Sequence, residues 1–225
     1  MTRSGDITVI IPAYNEKDFL EGTILGIKRY IPLQDIIVVD DGSNDGTYDK
    51  ANSLGVKVLH HECNLGKGVA QRTGLAHAIS SGYKFAILMD ADGQHSPDDL
   101  PKFISSIERN RGDLIIGRRE IRFKKMQFIR VITNTVTSFI TSLWAGKLVH
   151  DSQSGYRALN LEKFRGVNLT SERYDIESEM IIKCARKGFR IVEIPVRTIY
   201  GRERSYVQPV RDTVRFIKLV IRCMI

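Results

Sequence analysis

Two aspartates, Asp90 and Asp92, are the residues of this sequence best suited to chemistry, because they follow the apolar run 85–89 and are separated only by Ala91. Hard divalent ions such as Mg²⁺ and Mn²⁺ prefer oxygen ligands, and carboxylates at positions i and i+2 suit an ion that also touches the phosphates of a ligand. Such an ion would act as a Lewis acid on a diphosphate leaving group. The same Asp-Ala-Asp-Gly stretch also suits an ordinary turn, in which aspartates bond to the local backbone.

Two further segments have the composition of ligand-binding loops. The turn Asp40-Asp41-Gly42-Ser43 could offer a carboxylate to a nucleobase or a ribose, although Asp-Gly is also a general turn signal. In the segment 64–68, Lys67 lies between two glycines, but the segment departs from the phosphate-binding P-loop because Gly, not Ser or Thr, follows the lysine. The backbone amides of a helix that begins there could still hold an anion.

Short β-branched runs alternate with helical patterns through the first half of the chain. The pattern predicts strands over 7–11, 36–40, 56–60, 85–90 and 114–117, and helices over 16–29, 46–53, 67–80 and 97–109. Apolar strands separated by helices predict an α/β fold with a mostly parallel sheet flanked by helices. Ligands of such sheets bind beyond the carboxyl ends of the strands, which is where the aspartates lie.

The pattern changes after residue 117. It predicts a helix or helix pair over 123–145, a polar loop at 151–157, a helix over 175–187, a strand over 190–194 and an amphipathic helix after Pro209. No repeat, low-complexity tract or linker divides the sequence. A single domain over 1–225 is therefore expected, with a distinct C-terminal part at 118–225.

The composition is that of an ordinary globular domain with an uneven distribution of charge. Of the 225 residues, 42% are apolar and 27% are charged, which argues against long disorder, a collagen-like repeat or a small disulfide scaffold. The formal net charge is +8, but the segments 117–130 and 197–225 together carry +10 and the rest of the chain −2. This distribution indicates an anionic partner for the two basic segments.

Both basic segments interleave basic residues with apolar side chains such as Phe123, Phe128 and Phe216. Helices that lie on a membrane surface are built in this way, so peripheral membrane association is expected. No apolar stretch approaches the roughly 18–20 residues needed to cross a bilayer. The N-terminus has no signal-peptide pattern, and three cysteines without a CxxC spacing give no zinc site. The prediction is a cytoplasmic protein attached to the cytoplasmic face of a membrane.

Five segments in order, 12–16, 38–43, 64–68, 90–95 and 151–155, carry a family resemblance. Together they resemble the family 2 glycosyltransferases with the GT-A (Rossmann-like) fold, and among these the enzymes that make dolichyl- or polyprenyl-phosphate sugars. The resemblance covers nearly the whole chain. It implies a nucleoside-diphosphate sugar as donor, a Mg²⁺ or Mn²⁺ ion at Asp90 and Asp92, and inversion at the anomeric carbon.

Matching positions assign residues to the two substrates. Within 1–117, the residues implied to bind the nucleotide sugar are Pro12, Tyr14, Glu16, Asp40 or Asp41, Lys67, Asp90, Ala91, Asp92 and Gln94. Within 118–225, those implied to hold the acceptor phosphate are Arg118, Arg130, Asn134, Arg202, Arg204 and Ser205. The family has a lysine after this serine, whereas Tyr206 stands here. Asp92, Arg118 and Asp151 are expected to be catalytic, the last by orienting the acceptor or tuning an arginine.

Several alternatives remain open at this point. A lipid monophosphate is already an anionic nucleophile, whereas a sugar hydroxyl needs a general base, so a polyprenyl phosphate is the leading acceptor and a carbohydrate hydroxyl the alternative. A basic nucleic-acid-binding module is a third hypothesis, which no RNP, helix-turn-helix or aromatic stacking pattern supports. The sequence does not decide whether Glu177 or Glu179 serves the site, whether His95 is a third metal ligand, or what the oligomeric state is.

Overall fold

The computed structural model describes residues 5–119 and 128–199, and the side chains of all of these except 128–133. The strands are β1 (Ile7–Ala13), β2 (Ile36–Asp40), β3 (Lys57–His60), β4 (Phe85–Leu88), β5 (Leu114–Arg119), β6 (Arg157–Asn160) and β7 (Ile191–Val196). The α-helices are α1 (Lys17–Ile27), α2 (Thr47–Ser53), α3 (Lys67–Ser80), α4 (Leu100–Glu108), α5 (Phe128–Ala145), α6 (Leu161–Phe164) and α7 (Ile176–Arg186).

The strands of the described residues form one seven-stranded sheet in the order β3-β2-β1-β4-β6-β5-β7. Neighbouring strands are parallel, except that β6 runs antiparallel to both β4 and β5. The predicted α/β fold with a mostly parallel sheet is confirmed. The sequence pattern predicts neither β6 nor α6; β6 has only four residues and begins with Arg157, which the polar pattern assigned to a loop.

Helices cover both faces of this sheet. Leu20 of α1 and Phe103 of α4 lie in the buried core of one face, and Leu75 of α3 lies in the core of the other. The approach of α3 to the sheet depends on Gly74, since a Cβ there would overlap Cγ2 of Ile10. Strands that are buried on both sides read as continuous apolar runs, which is why the sequence pattern located them well.

The parallel strands bring their carboxyl ends to one edge of the sheet, which we call the carboxyl edge. Asp40 ends β2, Asp90 lies just beyond β4, and Arg119 ends β5. Because β6 is antiparallel, it begins at the same edge, with Arg157 paired to Leu88 of β4. The loop that precedes β6 is therefore placed beside Asp90.

The observed bounds differ modestly from those predicted. The helix predicted over 97–109 is a 3₁₀ turn at Pro97–Asp99 followed by α4, and β5 and β7 each continue two residues further than predicted at their carboxyl ends. The start of the helix predicted over 123–145 and the amphipathic helix predicted after Pro209 lie outside the described residues. The division into parts at 1–117 and 118–225 stays a prediction.

Candidate active site at the carboxyl edge

A lysine at the start of α3, Lys67, lies at the centre of the carboxyl edge. Its Nζ is 2.8 Å from Oδ1 of Asp90 and 2.9 Å from Oε1 of Glu177, and it lies 5.8 Å from the ring centroid of Tyr174. Burial by itself would lower the pKa of Lys67, but the two carboxylates raise it above its ordinary value. Lys67 is therefore a permanent positive charge shared by two acidic residues.

Asp90 is closely surrounded. Burial favours its neutral form, but the Lys67 ammonium outweighs this effect and holds the pKa of Asp90 below its ordinary value. On another side lies Gly155, where a Cβ would come within 2.5 Å of Oδ2 of Asp90. The loop before β6 can approach the aspartate this closely only because residue 155 has no side chain.

His95 orients the backbone of Asp90. Its Nδ1 accepts a hydrogen bond of 3.0 Å from the Asp90 N–H, so the ring proton is on Nε2, which lies 3.9 Å from Oδ2 of Asp90. The buried ring stacks on Tyr156, with the centroids 4.9 Å apart. Burial lowers the pKa of His95 to about 4, so the ring is neutral near pH 7. With one nitrogen bonded and the other protonated, His95 has no lone pair to offer a metal ion.

The turn after Asp90 carries the second aspartate of the predicted metal site. Asp92 is half-buried, and its Oδ1 accepts a hydrogen bond of 3.0 Å from the N–H of Gln94, while Ala91 is buried. Within the described residues, no three His, Cys, Asp or Glu side chains form a ligand cluster. Two carboxylates nevertheless fit Mg²⁺ or Mn²⁺, because Mg²⁺ usually takes one or two carboxylates and completes its shell with substrate phosphates and water.

An arginine that the sequence analysis did not select, Arg119, forms a bidentate pair with Asp151. Its Nε lies 2.8 Å from Oδ2 and a terminal nitrogen lies 2.8 Å from Oδ1. Although burial would raise the pKa of Asp151, Arg119 holds it below its ordinary value. The positive charge of Arg119 also acts on Asp90.

Arg118, the arginine selected from the sequence, is exposed. Successive residues of a strand point to opposite faces of the sheet, so Arg118 and Arg119 cannot both reach the aspartates. This alternation separates the two arginines, but the sequence alone does not show which of them faces Asp151. The structure adds Arg119 to the groups beside Asp90 and Asp151, and the contact of Arg118 with an acceptor phosphate stays a prediction.

A buried arginine, Arg157, joins the loop before β6 to the first turn of α7. It donates hydrogen bonds of 2.6 Å to three backbone carbonyls, those of Ser152, Ser154 and Glu177. In the sequence, Arg157 ends a polar stretch and no motif gives it a role. Its function depends on a contact with α7, twenty residues further along the chain, which no local pattern reveals.

The choice between Glu177 and Glu179 is decided by their partners. Glu179 accepts hydrogen bonds from the backbone N–H groups of Thr170 and Ser171 and pairs with Lys183, so it holds the segment before α7 in place. Glu177 contacts Lys67 through Oε1, and within the described residues its buried Oε2 has no partner. Of the two glutamates, Glu177 is the one that contacts Lys67 at the carboxyl edge, and its functional role stays a prediction.

The loop after β1 docks on the loop after β2. The N–H of Asn15 donates to Oγ of Ser43 at 2.9 Å, and the N–H of Glu16 donates to Oγ1 of Thr47 at 3.0 Å. Pro12 is buried, whereas Tyr14 and Glu16 are half-buried. These bonds place the predicted nucleotide-binding residues of the first loop next to the Asp40-Asp41 turn.

Asp40 and Asp41 have different partners. Asp41 accepts hydrogen bonds from the N–H groups of Leu65 and Gly66, and Nδ1 of His61 lies 2.8 Å from its Oδ1. Asp40 has Nδ1 of His60 2.8 Å from Oδ2, while its Oδ1 is buried without a partner in the described part of the chain. Asp41 therefore anchors the loop before α3, and of the two aspartates only Asp40 has an unused acceptor.

One side of α5 is apolar and exposed. Phe139 is 70% exposed, Leu143 is 69% exposed, and Val136 is also exposed, while Asn134 is half-buried. Leu148, which follows the helix, is exposed as well. We call Val136, Phe139 and Leu143 the α5 apolar face. Within the ranges 5–119 and 128–199, no helix has both the length and the apolar character needed to cross a bilayer. Arg202, Arg204, Ser205 and the side chain of Arg130 lie outside what the structure describes.

The family model and the relatives of known activity agree on one family. The model of "Glycosyl transferase family 2" matches residues 8–167. A UDP-N-acetylglucosamine–dolichyl-phosphate N-acetylglucosaminyltransferase of Methanococcus voltae is 35% identical over 216 residues, which cover 86% of this chain and 86% of the relative. An undecaprenyl-phosphate mannosyltransferase of Micrococcus luteus is 35% identical over 214 residues, covering 88% of this chain and 84% of the relative.

The solved structures give the same fold. Glucosyl-3-phosphoglycerate synthase of Mycobacterium tuberculosis, in complex with Mn²⁺, UDP-glucose and phosphoglyceric acid, matches with a TM-score of 0.78 and 22% identity over 97% of this chain and 80% of that chain. The same enzyme has been solved with Mg²⁺ and UDP, and this structure matches with a TM-score of 0.73 and 22% identity over 97% of this chain and 77% of that chain. The likeness extends over nearly the whole chain and shows the GT-A fold.

Proposed function

The chain belongs to the family 2 glycosyltransferases, and from this premise we propose that it transfers one sugar from a nucleoside-diphosphate sugar to a polyprenyl phosphate, with inversion at the anomeric carbon. The observation that carries the choice of acceptor is the pairing of Arg119 with Asp151 beside Asp90. Both Asp151 oxygens are bonded to Arg119, and the low pKa of Asp151 makes it a poor general base. A hydroxyl acceptor needs such a base, whereas a phosphate acceptor does not.

The proposed reaction is a single displacement. An oxygen of the acceptor phosphate forms a bond to the anomeric carbon while the bond from that carbon to the diphosphate breaks, and the nucleoside diphosphate leaves with the electron pair. No proton has to be removed. Arginine holds phosphate oxygens well because its planar fork donates in two directions, and Asp151 keeps the Arg119 fork in one orientation.

The donor is proposed to bind over the amino-terminal part, 1–117. Pro12, Tyr14, Glu16 and Asp40 would line the nucleotide pocket, since their loops are joined by the bonds of Asn15 and Glu16. Asp90 and Asp92 would hold Mg²⁺ or Mn²⁺, which as a Lewis acid would stabilise the charge that develops on the leaving diphosphate. The part 118–225 is proposed to bind the acceptor.

The enzyme is proposed to lie on the cytoplasmic face of a membrane, because its acceptor is a lipid and the α5 apolar face is exposed. The test is co-sedimentation with vesicles of anionic phospholipid at low salt. Replacing Phe139 and Leu143 by Ser should release the protein from the vesicles, since burial of apolar side chains in the acyl boundary drives such binding. Leu25→Ser is the matched control, because Leu25 is a 50% exposed leucine on α1. Equal binding of the double variant and the wild type would contradict this location.

The reaction is tested by incubating the full chain with labelled UDP- and GDP-sugars, dolichyl or undecaprenyl phosphate, and Mg²⁺ or Mn²⁺, followed by extraction into organic solvent. Label should enter the organic phase with one donor and should not do so with Asp92→Asn. Label that remains aqueous with every donor and lipid, but becomes attached to an added saccharide, would replace the lipid acceptor by a carbohydrate hydroxyl.

A further inference from the structure

Lys67 shares its ammonium group between carboxylates from two distant segments, Asp90 after β4 and Glu177 on α7. Asp90 is also a proposed ligand of the divalent ion, but Nζ of Lys67 lies against both of its oxygens, 2.8 Å from Oδ1 and 2.9 Å from Oδ2, so the ion competes with the ammonium group for them. We infer that Lys67 occupies Asp90 until the ion binds and then remains with Glu177. On this inference, which rests on the proposed metal site, Glu177 is a positioning residue that sets the affinity of the site for divalent ions.

Glu177 can pair with the ammonium group of Lys67 without the help of Asp90. Its Oε1 is 2.9 Å from Nζ of Lys67, and within the described residues its buried Oε2 has no partner. A buried carboxylate oxygen without a hydrogen bond costs free energy. A movement of Lys67 towards Glu177 lowers this cost, because the ammonium group can then donate to that carboxylate more fully. The backbone of Glu177 cannot retreat, because its carbonyl accepts a 2.6 Å hydrogen bond from Arg157.

The surroundings of Lys67 make such a movement short. Its Nζ is already within 3 Å of both carboxylates, at 2.8 Å from Asp90 and 2.9 Å from Glu177, so a small rotation of the flexible lysine side chain suffices. The ring of Tyr174, on the segment that leads into α7, lies 5.8 Å from Nζ and favours a cation on its face. Without Glu177, a divalent ion arriving at Asp90 would have to displace a buried ammonium group that pairs with no other carboxylate in the described part of the chain.

The inference predicts opposite effects for the two members of the pair. Glu177→Gln should weaken the binding of Mn²⁺ by about tenfold, because Lys67 then stays on Asp90. Lys67→Gln should tighten the binding by about tenfold, because Asp90 is then free. The double variant should bind Mn²⁺ as Lys67→Gln does, since Glu177 acts through Lys67 and residues coupled in this way are not additive.

The measurement is titration of the full chain with Mn²⁺ alone, with the free ion followed by electron paramagnetic resonance, so it does not depend on activity. Lys183→Gln is the matched control, because it removes a lysine from the buried Glu179 on the same helix and should leave the affinity for Mn²⁺ unchanged. Glu177→Asp keeps the charge and should bind Mn²⁺ more tightly than Glu177→Gln. If Glu177→Gln does not fold, Glu177→Asp is the test in its place. Glu177→Asp should bind Mn²⁺ more weakly than the wild type, because the shorter side chain holds Lys67 less well.

Loss of Mn²⁺ binding in Asp92→Asn would show that the proposed metal site is intact in the wild type. With that result in hand, either of two further results would overturn the inference alone. One is Lys67→Gln binding Mn²⁺ no more tightly than the wild type. The other is Glu177→Gln weakening the binding equally in the presence and absence of Lys67, which would mean that Glu177 acts by its own charge. Absence of Mn²⁺ binding in every protein would overturn the metal site and this inference together.

Discussion

Replacing Gly155 by alanine tests the closest contact of the site. A Cβ at this position would lie 2.5 Å from Oδ2, 2.9 Å from Oδ1 and 3.0 Å from Cγ of Asp90, whereas ordinary contacts begin at 3.4 Å. Asp90 or the loop before β6 must therefore shift by about 0.9 Å. Gly155 does not adopt a positive φ, so alanine brings no backbone strain and the clash is isolated.

A shift of this size acts on the bonds of Asp90 to Lys67, which are 2.8 Å and 2.9 Å long. Hydrogen bonds to charged groups contribute about 1.5–3 kcal/mol, so Gly155→Ala should lower the free energy of unfolding in urea by about 2 kcal/mol. It should also reduce the initial rate of sugar transfer at least tenfold, because Asp90 would no longer be in position for the diphosphate. Both quantities are measured on the same preparation.

Gly22→Ala provides the control for this substitution. Gly22 is exposed on α1, and a Cβ there meets no atom within 4 Å. Alanine should stabilise this helix position by roughly 0.5–1 kcal/mol and leave the transfer rate unchanged. If Gly155→Ala transferred sugar at the wild-type rate with unchanged stability, the contact with Asp90 would not constrain the site and the reasoning would be refuted.

Three further predictions concern the charged groups around this contact. Arg157→Met should lower the free energy of unfolding in urea by about 3–5 kcal/mol, because three buried carbonyls lose their donor, and a loss below about 1 kcal/mol would contradict that role. Arg119→Lys should reduce the transfer rate about tenfold by breaking the bidentate bond to Asp151, whereas Arg111→Lys on the exposed surface should not change it; equal rates would exclude the proposed use of the fork. The pKa of His95 is lowered from 6.5 to about 4, so the unfolded chain takes up a proton between these values while the folded chain does not. The free energy of unfolding should therefore fall by up to about 3 kcal/mol as the pH decreases from 6.5 to 4, and His95→Gln should lack that part of the pH dependence, which urea titrations at several pH values would detect.

The fold was predictable where burial imposes a strong pattern. The strands β1, β2 and β4 are buried on both faces of the sheet, so their apolar runs stand out, and α3 begins and ends where the sequence predicts. The antiparallel strand β6 was not predictable in this way. It has four residues, it opens with the buried Arg157, and its pairing with β4 and β5 joins segments that are more than forty residues apart.

The residues of the site were predictable only where they directly follow a strand in the sequence. Asp90 and Asp92 follow β4 directly, so a local motif locates them. Arg119 and Glu177 depend on which face of an element meets the sheet edge, and this is decided by packing against parts of the chain that lie far away. A local motif cannot choose between Arg118 and Arg119, nor between Glu177 and Glu179, because only the three-dimensional contacts separate the members of each pair.

The charges of the carboxyl edge also bear on the need for a divalent ion. Four carboxylates lie at this part of the carboxyl edge, those of Asp90, Asp92, Asp151 and Glu177. Three described cations lie among them, Lys67, Arg119 and the buried Arg157. Together these described side chains carry one net negative charge before any ligand binds. A diphosphate and an acceptor phosphate would add several more negative charges to a partly buried site, where unpaired charge is costly. Among the described residues, Lys67, Arg119 and Arg157 are already bonded to groups of the protein, so this balance favours a divalent ion that arrives with the donor, and on the inference above the sharing of Lys67 sets how tightly that ion binds.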